Sequence, residues 1–183
     1  LPGYTGAFVP APGFSEYKTA LEASRIPVRD IYYRPREDEH GKPYFEVPYL
    51  ALETFAAELK GQDGRIIVFL GNPNNPDGTL LDKNHIRTIA SMLKDANSLL
   101  VIDESFIDFV GNDTLQDNEY SMRSLVNEFD NIIVVHSFTK FYAVPGLRIG
   151  AAFSNPLIIE QLNSFIPTWS VNTLAQSYTE PAL

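Results

Sequence analysis

The stretch NIIVVHSFTKFYAVPGLRIGAAF, residues 131–153, decides how this chain folds. Its first six residues, NIIVVH (131–136), hold an unbroken apolar run of Ile and Val, without the alternation of a half-exposed strand. A strand reads this way when helices cover both faces of a parallel sheet. The run stops at the polar SFTK (137–140), and a link holding Pro145 and Gly146 leads to a second expected strand, RIGAAF (148–153).

Working outward, RIIVFL (65–70) and SLLVID (98–103) have the same character, and weaker strands are expected at GAFVP (6–10) and VRDIYY (28–33). Stretches of helical period lie between them. One helix is expected to begin near Pro48, with Leu52, Phe55, Ala56 and Leu59 on its inner face. A second follows Asp82 as N-cap, with Ile86, Ile89, Ala90 and Leu93 inward. A third carries Met122, Leu125, Val126 and Phe129, and a fourth starts at Asn155-Pro156 with Ile158, Leu162 and Phe165 inward. The polar RPREDEHGKP (34–43) reads as a solvated loop. Strands alternating with helices predict an α/β fold, a three-layer αβα arrangement around a mostly parallel sheet.

The chain has 183 residues, enough for one compact domain with its own core. Its 14 basic and 23 acidic residues give a net charge of −9, which argues against a nucleic-acid partner, since phosphate contacts need a basic face. There is no cysteine, so neither a disulfide framework nor a thiolate metal site is available. No apolar run approaches the ~18–20 residues of a membrane-spanning helix. The start, LPGYTGAFVP, lacks the basic-then-apolar pattern of a signal peptide. A cytoplasmic protein is expected, and the sequon at Asn112 is read as accidental.

In open α/β sheets, ligands bind beyond the carboxyl ends of the strands. Three polar segments fall at those ends: GNPNNPDG (71–78), Asp103, and SFTK (137–140). Each alone has an ordinary reading, as turn chemistry, a helix cap or a surface lysine. LLVIDES also resembles a nucleotide-hydrolase strand, but the chain has no phosphate loop of the G-x-x-x-x-G-K-[ST] kind. Taken together the segments suit one chemistry. A lysine beside an apolar strand can condense with an aldehyde, and a serine with an arginine can bind a phosphate. A carboxylate at a strand end can pair with a protonated ring nitrogen. Those are the demands of pyridoxal 5'-phosphate.

NPDG after a strand, then DESF, then SFTK with an arginine eleven residues after its serine, resembles the fold-type I pyridoxal-phosphate enzymes of the aminotransferase class I/II group. Within that group, DESFIDF, SFTKFYAVPGLRIG, PGFSEY and PTWSVNTLA look most like the threonine-phosphate decarboxylases of cobalamin biosynthesis, with histidinol-phosphate aminotransferases as near competitors. The resemblance runs from about Val9 to Gln176. It implies that Lys140 holds the cofactor and moves the proton, and that Asp103 pairs with the ring nitrogen. Asn75 would reach the phenolic oxygen, and Ser137, Thr139 and Arg148 the phosphate. Phe14 would stack on the ring, with a core phenylalanine as its ordinary alternative. Many aminotransferases have a tyrosine three residues after the aspartate; Phe106 stands there instead, and that also resembles the decarboxylase branch.

The implied reaction is decarboxylation of L-threonine O-3-phosphate to (R)-1-aminopropan-2-yl phosphate by a cytoplasmic homodimer. Its partner is a small phosphorylated amino acid, with no metal, nucleic acid or membrane. An aminotransferase is the alternative. The family's chains are longer at both ends, so residues 1–183 are expected to be the central part of the cofactor-binding large domain. On that expectation an upstream phosphate loop and a C-terminal small domain are absent. Two rivals from other classes are an aminotransferase-like domain of a transcription regulator and a magnesium-dependent nucleotide hydrolase. The first lacks a basic helix-turn-helix here, and the second lacks its phosphate loop.

Overall fold

The computed structural model describes residues 3–59, 64–111 and 118–182; the Asn112 sequon lies outside them. The chain opens with β1 (Tyr4–Ala11), α1 (Ser15–Ala23) and β2 (Val28–Tyr32), then a hairpin of β3 (Arg34–Glu37) and β4 (Pro43–Glu46). Next come α2 (Tyr49–Glu58), β5 (Arg65–Gly71), α3 (Lys83–Asp95) and β6 (Leu99–Asp103). The remainder is β7 (Ile132–Ser137), β8 (Gly150–Phe153), α4 (Pro156–Asn163) and α5 (Thr173–Ala182).

Six strands form one sheet in the order β2-β1-β5-β6-β7-β8. Every neighbouring pair is parallel except β7 and β8. That exception follows from the connection. Parallel neighbours need a long crossover, and residues 138–149 hold only a 3-10 turn at Pro145–Leu147, so the chain returns antiparallel.

The central strands β5, β6 and β7 are largely apolar because each face meets its own layer. Ile66, Val68, Leu70, Leu100, Ile102, Ile132 and Val134 pack with Leu52, Ala56, Ile86, Ile89 and Leu93 on one side. Ala7, Val9, Ile67, Leu99, Val101 and Ile133 pack with Leu21 and Ile26 on the other, where Ile158 and Leu162 close in from α4. Each fully buried Leu or Ile contributes about 1.5–3 kcal/mol relative to exposure. The three-layer α/β architecture expected from the sequence is the one observed.

Both expected caps are formed. Asp82 accepts hydrogen bonds from the backbone N–H groups of Asn84 and His85, and Asn155 accepts one from Ile158 ahead of Pro156. Pro48 occupies the N-cap position, one residue before α2 begins.

Elsewhere the structure departs from expectation. The expected loop 34–43 is exposed, but only residues 38–42 are a turn: β3 and β4 flank it as a hairpin, pairing Arg34 with Glu46 and Glu37 with Pro43. Its stability is polar: Arg36 meets Glu46 at 2.9 Å, and Asp38 Oδ1 accepts from the N–H of His40 and of Lys42. A hairpin that buries little carries no apolar alternation to read. The helix expected around residues 122–129 is only a 3-10 segment, Arg123–Asn127, although Met122 and Leu125 are buried as anticipated. Phe165 is 67% exposed because α4 ends at Asn163. The last expected strand starts two residues late, since Arg148 adopts a left-handed backbone conformation (φ 53°, ψ 56°). Neither α1 nor α5 was anticipated; in α1 only Leu21 is buried, too little for a stripe.

Replacing Asp82 with Ala strands two α3 N–H groups and is expected to cost about 0.5–2 kcal/mol of unfolding free energy, read as a lower urea midpoint at unchanged slope. An unchanged midpoint would show that water caps α3 as well as the carboxylate does.

Candidate active site

The strand order reverses direction between β1 and β5: β2 lies to one side of β1, and β5, β6 and β7 follow on the other. At such a switch point the loops leaving neighbouring strands part and open a crevice. Here the loops after β1 and β5 are tied together, with Asn74 Nδ2 donating to the Pro12 carbonyl at 3.0 Å.

The β5 loop uses its asparagines differently. Gly71 is needed at its start, because a Cβ there would lie 2.8 Å from Asn74 Cα. Asn72 is buried; its amide donates to Glu104 and to the Tyr120 carbonyl and accepts from Leu81 N–H. Asn74 is buried too, donating to Pro12 and to Asp77. Asn75, the one chosen from sequence, is half-buried and lines the cavity.

That cavity is walled by Phe14, Tyr17, Asn75, Asp103, Phe106 and Lys140, with Pro73 and Ser105 completing it. Asp103 ends β6. Its Oδ2 accepts from the Tyr17 hydroxyl at 2.7 Å and its Oδ1 from Ser105 N–H at 2.8 Å, so the carboxylate is fixed in orientation. The Tyr17 ring stacks on Phe69 and meets Phe14 edge-on. Burial, and the Asp103 charge after it, push the Tyr17 phenol well above its ordinary value, so it stays a donor. Phe14 remains 43% exposed, open to a ring-shaped ligand rather than packed in the core. Lys140 is exposed, and its Nζ stands 5.4 Å above the centre of the Phe106 ring.

A second cavity, of about 280 Å³, adjoins the first at Ser105 and is lined by Ser137, Thr139, Arg148 and Gly150 among others. Ser137 Oγ and Thr139 Oγ1 lie 2.7 Å apart. The Arg148 guanidinium is steadied by one bond to the Pro145 carbonyl, which leaves most of its donors for a ligand. All eight sequence-chosen residues therefore line these two cavities: five line the first, and Ser137, Thr139 and Arg148 line the second.

Sequence reasoning missed Tyr17 and Ser105. Tyr17 lies three residues after Phe14 at the start of α1, so helical spacing could have found it once the helix was known. Ser105 acts here through its backbone N–H, for which side-chain patterns hold no signal. Two buried polar groups flank the site. Glu104, wholly buried, accepts from Asn72, from Ser121 and from Met122 N–H; burial raises its carboxyl above the usual range, and the three bonds pull it back. His136 is buried with its Nε2 2.9 Å from Asp108 Oδ2. An ionised carboxylate only accepts, which puts the proton of the neutral ring on Nε2. Among the described residues no cluster of His, Asp or Glu could hold a metal ion, and no helix is long and apolar enough to cross a membrane.

Comparison with known proteins agrees with the fold. Residues 2–183 match the family described as aminotransferase class I and II, and the chain belongs to it. Pyridoxal 5'-phosphate is the cofactor of these fold-type I enzymes. The chain is 34% identical over 178 residues to the adenosylcobalamin biosynthesis bifunctional protein CobDQ of Leptospira interrogans, covering 97% of this chain and 18% of that protein. It is 33% identical over 183 residues to threonine-phosphate decarboxylase of Salmonella typhimurium, covering 97% and 44%. Histidinol-phosphate aminotransferase 1 of Psychrobacter arcticus is 31% identical over 132 residues, covering 72% and 33%. The crystal structure of the histidinol-phosphate aminotransferase from Clostridium acetobutylicum superposes with a TM-score of 0.75 at 23% identity, covering 94% of this chain and 46% of that one. The chain thus spans less than half the length of these relatives.

His136 also makes a pH prediction. Burial holds its pKa below the ordinary 6.5, outweighing the opposite pull of Asp108. The unfolded chain therefore takes up a proton that the folded chain refuses as pH falls below 6.5, so stability is full above 6.5 and declines toward the lowered value. His136→Gln is expected to shrink the difference in urea midpoint between neutral and mildly acidic pH; an unchanged difference would assign the acid sensitivity to other groups.

Proposed function

We propose that this chain is the cofactor-binding part of a pyridoxal-phosphate enzyme that decarboxylates L-threonine O-3-phosphate to (R)-1-aminopropan-2-yl phosphate. One observation carries the reading. A cavity with an aromatic wall, a fixed carboxylate and a lysine adjoins a second cavity with two hydroxyls and a guanidinium. The residues fit a flat ring with a basic nitrogen at one end and a phosphate at the other. When bound, pyridoxal phosphate supplies an aldehyde for the substrate amine and an electron-poor ring that draws electrons from a bond at Cα.

The side chains then have distinct tasks. Phe14 covers one face of the ring and excludes water from it. Asp103, oriented by Tyr17 and Ser105, accepts from the ring nitrogen and favours its protonated form. Asn75 donates to the phenolic oxygen. Ser137, Thr139 and Arg148 donate to the phosphate, the arginine through its forked N–H groups. Lys140 would hold the cofactor through its Nζ and, once the substrate amine has replaced it there, would carry the proton that Cα takes up.

One observation favours loss of carbon dioxide over transfer of the amino group: Phe106 offers no hydroxyl where a tyrosine would reach the phenolic oxygen. Coverage does not separate the two, at 97% of the chain for the decarboxylase relative and 94% for the Clostridium aminotransferase structure. The second reading is an aminotransferase, supported by the comparable identity of 31% to the Psychrobacter protein. Either enzyme would be a cytoplasmic homodimer acting on a small phosphorylated amine, an amino acid for the decarboxylase.

Addition of pyridoxal phosphate is expected to give a visible absorbance band that Lys140→Ala abolishes, together with a loss of turnover of about 10²–10⁴-fold. Release of carbon dioxide from threonine phosphate without a keto-acid acceptor supports the decarboxylase. Strict dependence on 2-oxoglutarate would replace it with the aminotransferase, and an absorbance indifferent to Lys140 would remove the cofactor assignment.

A further inference from the structure

The His136–Asp108 contact has no part in the cofactor chemistry just described, yet it joins two segments that build the cavity. His136 lies four residues before Lys140 on the β7 side, and Asp108 two residues after Phe106, in the 3-10 turn Ile107–Phe109. The His136 side chain is 1% exposed and that of Asp108 10%, so water does not compete for their 2.9 Å contact.

From His136 a continuous run of ring contacts leads back to Phe106. His136 meets Phe138 at 5.0 Å between centroids, Phe138 meets Tyr142 at 5.9 Å, and Tyr142 meets Phe141 at 5.3 Å. Phe141 meets Phe109 at 5.2 Å, and Phe109 meets Phe106 at 6.3 Å. Asp108 precedes Phe109 directly, so its hydrogen bond to His136 closes this run into a ring. Lys140 sits inside it by sequence, between Phe138 and Phe141, and by position, with Nζ above the Phe106 face.

Aromatic contacts at these distances tolerate sliding and tilting, and Phe109 and Phe141 are 60% and 48% exposed. The turn is held at its start, where Glu104 N–H donates to the Val135 carbonyl and Ile107 is fully buried, so what aromatic packing alone leaves free is the tilt of its outer side, which carries Phe106 and Phe109. A buried hydrogen bond to a carboxylate is directional and fixes that tilt against β7. We propose that His136 and Asp108 are a positioning pair whose hydrogen bond fastens the aromatic arch and fixes the Phe106 ring beneath the Lys140 amine. The pair acts through Phe106 and touches no reacting atom. This inference rests on the reading of Lys140 as the cofactor lysine.

The test follows the rate at which added pyridoxal phosphate becomes attached to Lys140, read by absorbance, borohydride trapping and peptide mapping. His136→Phe keeps a ring and removes the hydrogen bond, and is expected to slow attachment about tenfold, as Phe106→Leu does; combined, the two lose no more than either alone, because they break one chain of support. His136→Gln keeps a donor toward Asp108 and restores the rate to within about twofold of wild type. If the stranded Asp108 carboxylate prevents His136→Phe from folding, the double replacement Asp108→Val with His136→Phe removes both polar partners and is expected to show the same slowing. A folded His136→Phe or double variant that attaches the cofactor at the wild-type rate overturns the proposal. So do losses that multiply when His136→Phe is combined with Phe106→Leu, since they would mark a general loosening. Wild-type protein that forms no adduct at Lys140 takes down the underlying reading, and the positioning role with it.

Discussion

The ladder of main-chain hydrogen bonds that pairs Gly71 with Asp103, and Asp103 with Val135, is the constraint on which the site depends. It brings the carboxyl ends of β5, β6 and β7 to one level, so that the loops leaving them surround a common space. A slip of β6 by one residue would turn every side chain to the other face and exchange Asp103 with Glu104. Those neighbours have opposite fates. Asp103 opens into the cavity, while Glu104 is wholly buried and takes bonds from Asn72, Ser121 and Met122. Moving Glu104 would leave three donors unpaired and bury Asp103 without them, at a cost of about 1–3 kcal/mol for each unsatisfied group. Glu104 thus locks the register that Asp103 uses.

The central strands were legible because burial on both faces leaves a signal at every position, and their carboxyl ends followed from where the apolar runs stop. Ser137, Thr139, Lys140 and Arg148 stood out as polar groups bordering such a run. Burial also explains what could not be read. The β3–β4 hairpin is held by Arg36, Glu46 and Asp38 at the surface, where no apolar period forms. Composition cannot say which of Asn72, Asn74 and Asn75 is pinned and which faces the cavity, because that depends on partners as distant as Tyr120 and Pro12. Tyr17 and His136 likewise draw their meaning from Asp103 and Asp108, residues 86 and 28 positions away.

A chain of net charge −9 is an unexpected place for an anion, but net charge acts poorly beyond the ~8–10 Å screening length. What a bound molecule meets is the local order of charge. Asp103 stands in one cavity, and Ser137, Thr139 and Arg148 stand in the adjoining one, with Ser105 shared between them. Such an arrangement complements a molecule that is positive at one end and anionic at the other, and opposes the reverse orientation. On the proposed reading, the polarity of the site would favour the orientation of the cofactor that brings its aldehyde to Lys140.

The same count of charges limits what these cavities can choose. They are lined by two basic side chains, Lys140 and Arg148, and on the proposed reading the cofactor would engage both, one at its aldehyde and one at its phosphate. A substrate bearing a carboxylate and a phosphate of its own needs further positive groups to hold the Cα bond that must break across the ring face. The described residues lining the two cavities do not supply them. On the proposed reading Lys140 and Asp103 would serve decarboxylation and amino transfer equally, because Asp103 would act on the ring nitrogen and Lys140 would move a proton in either case. The selection between reactions is thus a matter of substrate orientation, physically separate from the electron withdrawal that the described site provides.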